Sequence, residues 1–299
     1  MKKQFIALAV TLAFASLANA QATDTIAKVK ASGAVTMGVR DSSGALSYTL
    51  GDGKYTGYHV EICQAILANL EKTVGKKLAV TYQAVTSQNR IPLVQNGTVD
   101  IECGSTTNNA TRQKDVAFAS TTFVEEVRIA VKATSGITSI SQLNGKNVAT
   151  TTGTTSVQTL RKNERANGID FKEVYGKDHA ESFLLLESGR ADAFVMDGSI
   201  LAGNIANSKS PVDFKIVGEV LSVEPIAIMM RKDDPAFKKL ADETIAGLAK
   251  SGALAKLYDK WFMQAIPPKN TKVGLAASDG IKAAWATPND KPMEDYAKK

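Results

Sequence analysis

Two stretches of this chain are built alike. Leu93-Val94-Gln95-Asn96-Gly97-Thr98-Val99-Asp100-Ile101 and Leu185-Leu186-Glu187-Ser188-Gly189-Arg190-Ala191-Asp192-Ala193 stand 92 residues apart. Each reads as a helix end, a glycine stop and a short strand carrying an aspartate. Helix–glycine–strand units are common, so chance can produce one such match. Two lobes of similar build are the more economical reading. The length of 299 residues agrees, at about 100–200 residues per domain.

Strand and helix patterns alternate along the first part of the chain. Residues 34–39 read as a strand, and 41–57 as a Gly- and Ser-rich turn. Residues 59–74 read as a helix: Ile62, Cys63, Ile66, Leu67, Leu70 and Val74 recur at helical steps, and Gly75 ends them. A strand over 78–85, a short helix over 88–96 with Ser87 as N-cap and Gly97 as stop, and a strand over 99–102 follow. Such alternation predicts an α/β fold with largely parallel sheets. Two apolar, β-rich runs, 127–132 and 226–230, read as crossovers between lobes. That division gives lobe one residues 21–130 and the return from 231, and lobe two residues 131–230. After Asp234-Pro235 the spacing of Phe237, Leu240, Ile245, Leu248, Leu254, Leu257 and Trp261 predicts amphipathic helices packing back on lobe one, which Ile266-Pro267-Pro268 stops. The last thirty residues read as a surface tail.

The N-terminus predicts export. Met1-Lys2-Lys3 is a positive start, residues 5–17 are uncharged and apolar, and Ala18-Asn19-Ala20 supplies a cleavage site. Residues 1–20 therefore read as a signal peptide, its apolar run short of the roughly 20 residues that a membrane helix requires. No cysteine stands next to the cleavage site to take a lipid. The full chain carries a net charge of +6, and removing Lys2 and Lys3 leaves 34 basic and 30 acidic residues, a net +4. That surplus is too small and scattered for a nucleic-acid protein. With 44% hydrophobic and 22% charged residues, the composition excludes disorder, collagen, coiled coil and a disulfide-dense scaffold. Cys63 and Cys103 leave two readings open: a disulfide, which export permits, or two small buried apolar residues. Two Cys and two His without metal-ligand spacing predict no metal site and no cofactor.

Enzyme signatures are absent: there is no G-x-S-x-G, P-loop, H-E-x-x-H or G-x-G-x-x-G. His59, at a helix start, reads as a surface residue. What the chain does contain is a set of anion-binding loops. Thr152-Gly153-Thr154-Thr155-Ser156 links a strand to a helix start, where free N–H groups and the dipole favour an anion. Glu102-Cys103-Gly104-Ser105-Thr106-Thr107 leaves a strand in the same way, with Arg112 seven residues beyond Ser105. Thr86-Ser87-Gln88-Asn89-Arg90 opens a helix with a cation at its unfavourable end, which suggests a partner anion. Arg40 ends the first strand, at the carboxyl edge where open α/β sheets bind ligands. Each arginine alone reads as a solvated surface residue. Together, beside hydroxyl-rich loops, they read as carboxylate ligands, because guanidinium pairs with carboxylate bidentately.

Several longer strings carry a resemblance. Thr86-Ser87-Gln88-Asn89-Arg90-Ile91-Pro92-Leu93, Glu102-Cys103-Gly104-Ser105-Thr106-Thr107-Asn108-Asn109, Lys177-Asp178-His179, Leu186-Glu187-Ser188-Gly189-Arg190-Ala191 and Ile266-Pro267-Pro268-Lys269-Asn270 are similar to segments of the periplasmic solute-binding proteins of polar amino-acid ABC transporters. They most resemble the members that bind glutamate and aspartate, across essentially the whole mature chain. The resemblance implies a two-lobed, type II Venus-flytrap fold with two hinge strands, closing on one amino acid. It implies that Arg112, Ser105 and Thr107 hold the α-carboxylate with the helix start at Thr154 and Thr155. Asp197 would take the α-ammonium, and Arg40, Ser87, Arg90 and His179 the side-chain carboxylate. A dicarboxylic amino acid needs two anion sites and one cation site, which this division provides. The chain departs from the pattern at Ala45-Leu46-Ser47-Tyr48, where Pro-Phe-Ser-Tyr is expected, and at His59. The favoured reading is a monomeric periplasmic receptor that hands glutamate or aspartate to a membrane permease. The alternative is an enzyme on the same fold, such as a cyclohexadienyl-type dehydratase.

Overall fold

A computed structural model describes residues 24–296; the expected signal peptide lies outside the described residues. Two five-stranded sheets share one plan. The first runs Ala79–Ala84, Ala34–Val39, Ile101–Glu102, Met229–Arg231, Val116–Phe118. Its first three strands are parallel, and Met229–Arg231 is antiparallel to both neighbours. The second runs Lys172–Gly176, Asn147–Thr151, Ala193–Asp197, Phe123–Lys132, Phe214–Ile226. Again three parallel strands meet one that is antiparallel to both neighbours.

The internal echo has a structural cause. Gly97 and Gly189 take φ of 78° and 75°, the left-handed conformation that ends each preceding helix. The two aspartates then do the same work. Asp100 exchanges backbone hydrogen bonds with Thr36, donating N–H to its carbonyl at 2.9 Å and accepting its N–H on the carboxylate at 2.9 Å. Asp192 does so with Asn147, at 2.8 and 2.9 Å. Each Asp thus locks the third parallel strand onto the edge of the one beside it, where the backbone ladder has barely begun.

Residues 34–39 form a strand with the expected bounds, and the helix Tyr58–Val74 starts one residue earlier than the sequence reading. It buries Ile62, Ile66 and Leu70 against the first sheet and stops at Gly75 (φ 74°). Cys63, on this helix, is disulfide-bonded to Cys103, with Cα atoms 6.3 Å apart. The bond closes a loop of 40 residues, for which chain entropy gives about 4 kcal/mol. Asp234 caps the helix Pro235–Lys250, whose Phe237, Ala241 and Ile245 return to the first core.

Three expectations shift. Residues 127–132 lie inside the second sheet, Val127 opposite Asp197 and Lys132 opposite Phe214. The passages between sheets fall earlier, before Phe123–Lys132, and again between Ile226 and Met229. The run is apolar because a central strand is buried on both faces, not because it is a linker. The short helix is Arg90–Gln95, and Ser87 does not cap it; Thr86 and Asn89 cap each other instead, side chain to backbone, at 2.8 and 3.2 Å. The C-terminal segment is not a surface tail throughout. Ile281 and Ala284 of the helix Asp279–Ala286 are buried in the first core, and Trp285 Nε1 donates to the Thr122 carbonyl at 3.0 Å. Beyond it, Asn289 accepts from Thr121, and Asp290 from Asn108.

Separate apolar cores serve the two sheets. The first sheet has one around Met37, Ile62, Tyr58 and Phe262 and a smaller one around Val99, Phe118 and Met229; two more cover the faces of the second sheet around Ile129 and Phe194. Between the sheets lies a cleft at the carboxyl ends of the parallel strands, where α/β sheets place ligands.

Candidate ligand-binding site

Backbone ends deliver the side chains to this cleft. Arg40 follows the strand Ala34–Val39, Ser105 and Thr107 follow Ile101–Glu102, Thr154 and Thr155 follow Asn147–Thr151, and Asp197 closes Ala193–Asp197. Ser87, Arg90, Ser105, Thr107, Thr154, Thr155, His179 and Asp197 line one narrow cavity. Arg40 bonds to Ser87, Ser105 and His179 in its wall, and Arg112 lines the adjoining cavity with Thr154 and Thr155.

Arg40 is fully buried, yet its guanidinium is tied only to neutral acceptors. Nη2 donates to Ser87 Oγ at 3.1 Å and to His179 Nε2 at 3.2 Å, and Nη1 reaches Ser105 Oγ at 3.5 Å. Because Arg only donates, His179 Nε2 must accept, so the ring proton sits on Nδ1, 3.0 Å from Thr151 Oγ1. Burial, with Arg40 and Arg90 beside it, holds His179 well below the ordinary imidazole pKa, which keeps it neutral.

Arg90 is also buried, and its Nε and Nη1 have no hydrogen-bond partner among the described residues. Burial, then the neighbouring Arg112, lowers its pKa well below the ordinary value. Arg112 reaches across the cleft: Nη1 donates to the Thr107 carbonyl at 2.9 Å on one side and Nη2 to the Gly153 carbonyl at 3.3 Å on the other. Gly153 is required there. Its φ is +81°, and a Cβ would stand 2.9 Å from the Gln88 backbone of the facing loop.

Opposite the arginines stand acids. Asp197 is buried and caps the helix Gly198–Asn207 without bonding to it. Burial, then the nearby Glu125 and Glu224, raises its pKa well above the carboxylate range. Burial likewise pushes Glu125 up to about 7 although Ser199 donates to it from backbone and hydroxyl. Glu224 accepts the hydroxyls of Thr107 and Thr155, each at 2.6 Å. A site with both signs buried a few ångströms apart suits a small zwitterion with an extra charge better than a neutral or bulky ligand.

All ten sequence-derived candidates therefore converge on this cleft. Thr154 turns its hydroxyl back to the Thr151 carbonyl at 2.8 Å, so its part is to shape the loop. Four functional-site neighbours escaped the sequence reading. Glu102, Glu125 and Glu224 each interrupt an apolar strand, as in Val223-Glu224-Pro225-Ile226, and an acid in such a run is itself a signal of a buried charged site. The fourth is His59, which is not a surface residue. It is fully buried; Nδ1 donates to the Gly104 carbonyl at 2.5 Å and Nε2 accepts from Thr122 Oγ1 at 2.8 Å. Burial lowers it to about 4. The helix that carries it lies under the Gly104 loop, which solvent exposure at a helix start would not predict.

Residues 35–264 match the model of the bacterial extracellular solute-binding proteins, family 3. The chain belongs to that family. It is 44% identical over 289 residues to the glutamate/aspartate import solute-binding protein of Escherichia coli (strain K12), covering 96% of each chain. It is 43% identical over 291 residues to the L-glutamate/L-aspartate-binding protein of Pseudomonas aeruginosa, again covering 96% of each. Among solved structures, an ancestral arginine-binding protein bound to glutamine superposes with TM-score 0.67 at 29% identity, covering 77% of this chain and 98% of that one. The ancestral amino acid-binding protein AncCDT-1, a precursor of cyclohexadienyl dehydratase, gives TM-score 0.68 at 28% identity, covering 80% and 99%. These likenesses support a solute-binding protein and not an enzyme. No helix among the described residues is long and apolar enough to cross a membrane, and the described residues hold no cluster that could bind a metal.

Proposed function

We propose that this chain is an exported receptor for an acidic L-amino acid, glutamate or aspartate, which it delivers to an ABC transporter permease from the periplasm. The observation that carries the ligand class is Arg90: a buried guanidinium with two nitrogens, Nε and Nη1, unpartnered among the described residues, beside Arg40 and Arg112. Such a group demands an anion, and two full-length relatives named for glutamate and aspartate supply the amino-acid class. Arg112, Ser105 and the loop around Thr107, with the helix start at Thr154 and Thr155, take the α-carboxylate. Since the Thr107 and Thr155 hydroxyls donate to Glu224, their share of that contact falls to backbone N–H groups. Asp197 takes the α-ammonium. Arg40, Ser87, Arg90 and His179 take the side-chain carboxylate.

Ligand groups come from both lobes, with residues up to Arg112 on one side and Thr154 to Asp197 on the other. A ligand touching both binds the closed form better and so shifts the population toward it. Calorimetry against the twenty amino acids tests the ligand class, and solution scattering tests closure. Glutamate or aspartate should bind, raise the melting temperature and reduce the radius of gyration. Stabilisation without compaction would defeat the hinge; no binding of any amino acid would defeat the receptor.

A further inference from the structure

We propose that Glu224 is a positioning residue for closure: its carboxylate takes one threonine hydroxyl from each lobe and ties them into a single unit. The inference rests on the receptor reading. Thr107 belongs to the loop after the first-lobe strand Ile101–Glu102, and Thr155 is the first residue of the second-lobe helix Thr155–Asn167. Both hydroxyls donate to the same oxygen, Glu224 Oε2, each at 2.6 Å, and their own oxygens are 3.3 Å apart. Ser222 Oγ donates to the other oxygen, Oε1, at 2.8 Å, which fixes the carboxylate plane. Glu224 itself is fully buried on the strand Phe214–Ile226, in register with Glu125 of Phe123–Lys132. It therefore stands two residues before the end of its strand at Ile226, after which the chain passes from one sheet to the other.

Two consequences follow from the geometry. A carboxylate only accepts, so both threonines must spend their protons on it, and only their lone pairs can face the cleft. Charge-assisted bonds of this length are strong, and opening the lobes separates Thr155 from Thr107 and breaks at least one of them. Glu224 thus favours the closed form without touching the ligand.

The test compares four variants by calorimetry, stopped-flow dissociation and scattering, using glutamate and glutarate as ligands. Glu224→Ala removes the tie. It should weaken both ligands alike, by about tenfold or more, speed dissociation and leave the saturated protein less compact than wild type. Glu224→Gln keeps an acceptor oxygen of the same reach without the charge and should retain most of the closure. Thr107→Val, which removes the hydroxyl from the other lobe, should lose about as much as Glu224→Ala, and the double variant little more, because the two residues make one contact. An effect of charge alone would instead weaken glutamate and strengthen glutarate, which lacks the ammonium; that outcome overturns the proposal. So do losses from Glu224→Ala and Thr107→Val that simply multiply, or an Ala variant that binds as wild type does. Because wild-type binding is measured alongside, failure of the receptor reading is visible separately, as no glutamate binding in any form.

Discussion

Gly203 and Gly44 cross with no room for a side chain: a Cβ on Gly203 would stand 2.8 Å from the Gly44 Cα. Gly203 lies in the second-lobe helix Gly198–Asn207, and Gly44 in the first-lobe turn before Ser47–Gly51. Their contact is backbone against backbone, so no rotamer change relieves it. Alanine is a better helix former than glycine by roughly 0.5–1 kcal/mol, so Gly203→Ala should leave the unliganded melting temperature unchanged or higher. It should nonetheless weaken glutamate binding by about 1–3 kcal/mol, the usual cost of overpacking, because closure drives the new methyl into Gly44. Calorimetry and thermal melting together check this. Full affinity in the variant would show that the cleft closes without that contact.

Arg90→Ala removes the guanidinium whose Nε and Nη1 have no partner among the described residues. Folding should survive, since burying that charge is itself a cost. Glutamate affinity should fall by at least about 1.5–3 kcal/mol, the worth of a charged hydrogen bond. A variant that binds glutamate normally would take Arg90 out of the site.

Asp197→Asn separates the ammonium site from the carboxylate sites. If Asp197 holds the ligand's ammonium, the variant should lose about 1.5–3 kcal/mol toward glutamate and far less toward glutarate. Equal losses would place Asp197 in a structural role.

His59 and Glu125 should tilt stability in opposite directions with pH. His59 is held at about 4, down from 6.5, so between those values the unfolded chain binds a proton that the folded chain refuses. Its contribution is present above pH 6.5 and lost as pH falls toward 4. Glu125 is raised from 4.5 to about 7, so the folded chain keeps a proton that the unfolded chain has released. Its contribution is present below pH 4.5 and lost as pH rises toward 7. Each shift corresponds to about 3 kcal/mol. Denaturant unfolding of the unliganded protein across this range should show wild type losing its advantage over His59→Gln on acidification, and over Glu125→Gln on raising the pH. A parallel offset between either variant and wild type would mean that the group keeps its ordinary pKa.

Much of the fold was legible because it is local. Helical spacing from Ile62 to Val74 followed by Gly75, the strand 34–39, and the repeated glycine and aspartate at Gly97–Asp100 and Gly189–Asp192 each read out within a few residues. The arginines and hydroxyl loops were legible too, since strand ends carry them to one edge of each sheet. The reading failed where burial depends on distant segments. His59 looked like a solvated helix start, but Gly104 and Thr122 cover it. The run 127–132 looked like a linker, but strands 193–197 and 214–226 flank it. Residues 281–285 looked like a tail, yet Ile281 and Ala284 complete the first core.

Alternation of strand and helix, the duplication of one lobe plan and the residue types that a dicarboxylic ligand requires are all written in the order of the residues. Those follow from periodicity, glycine conformation and the chemistry of guanidinium, which act within a few residues. Which side chains are buried, and with whom, was settled by folding alone. Cys63 meets Cys103, Glu224 receives a hydroxyl from each lobe, and Gly203 passes against Gly44, because a desolvated charge or a backbone contact depends on what the far parts of the chain bring against it.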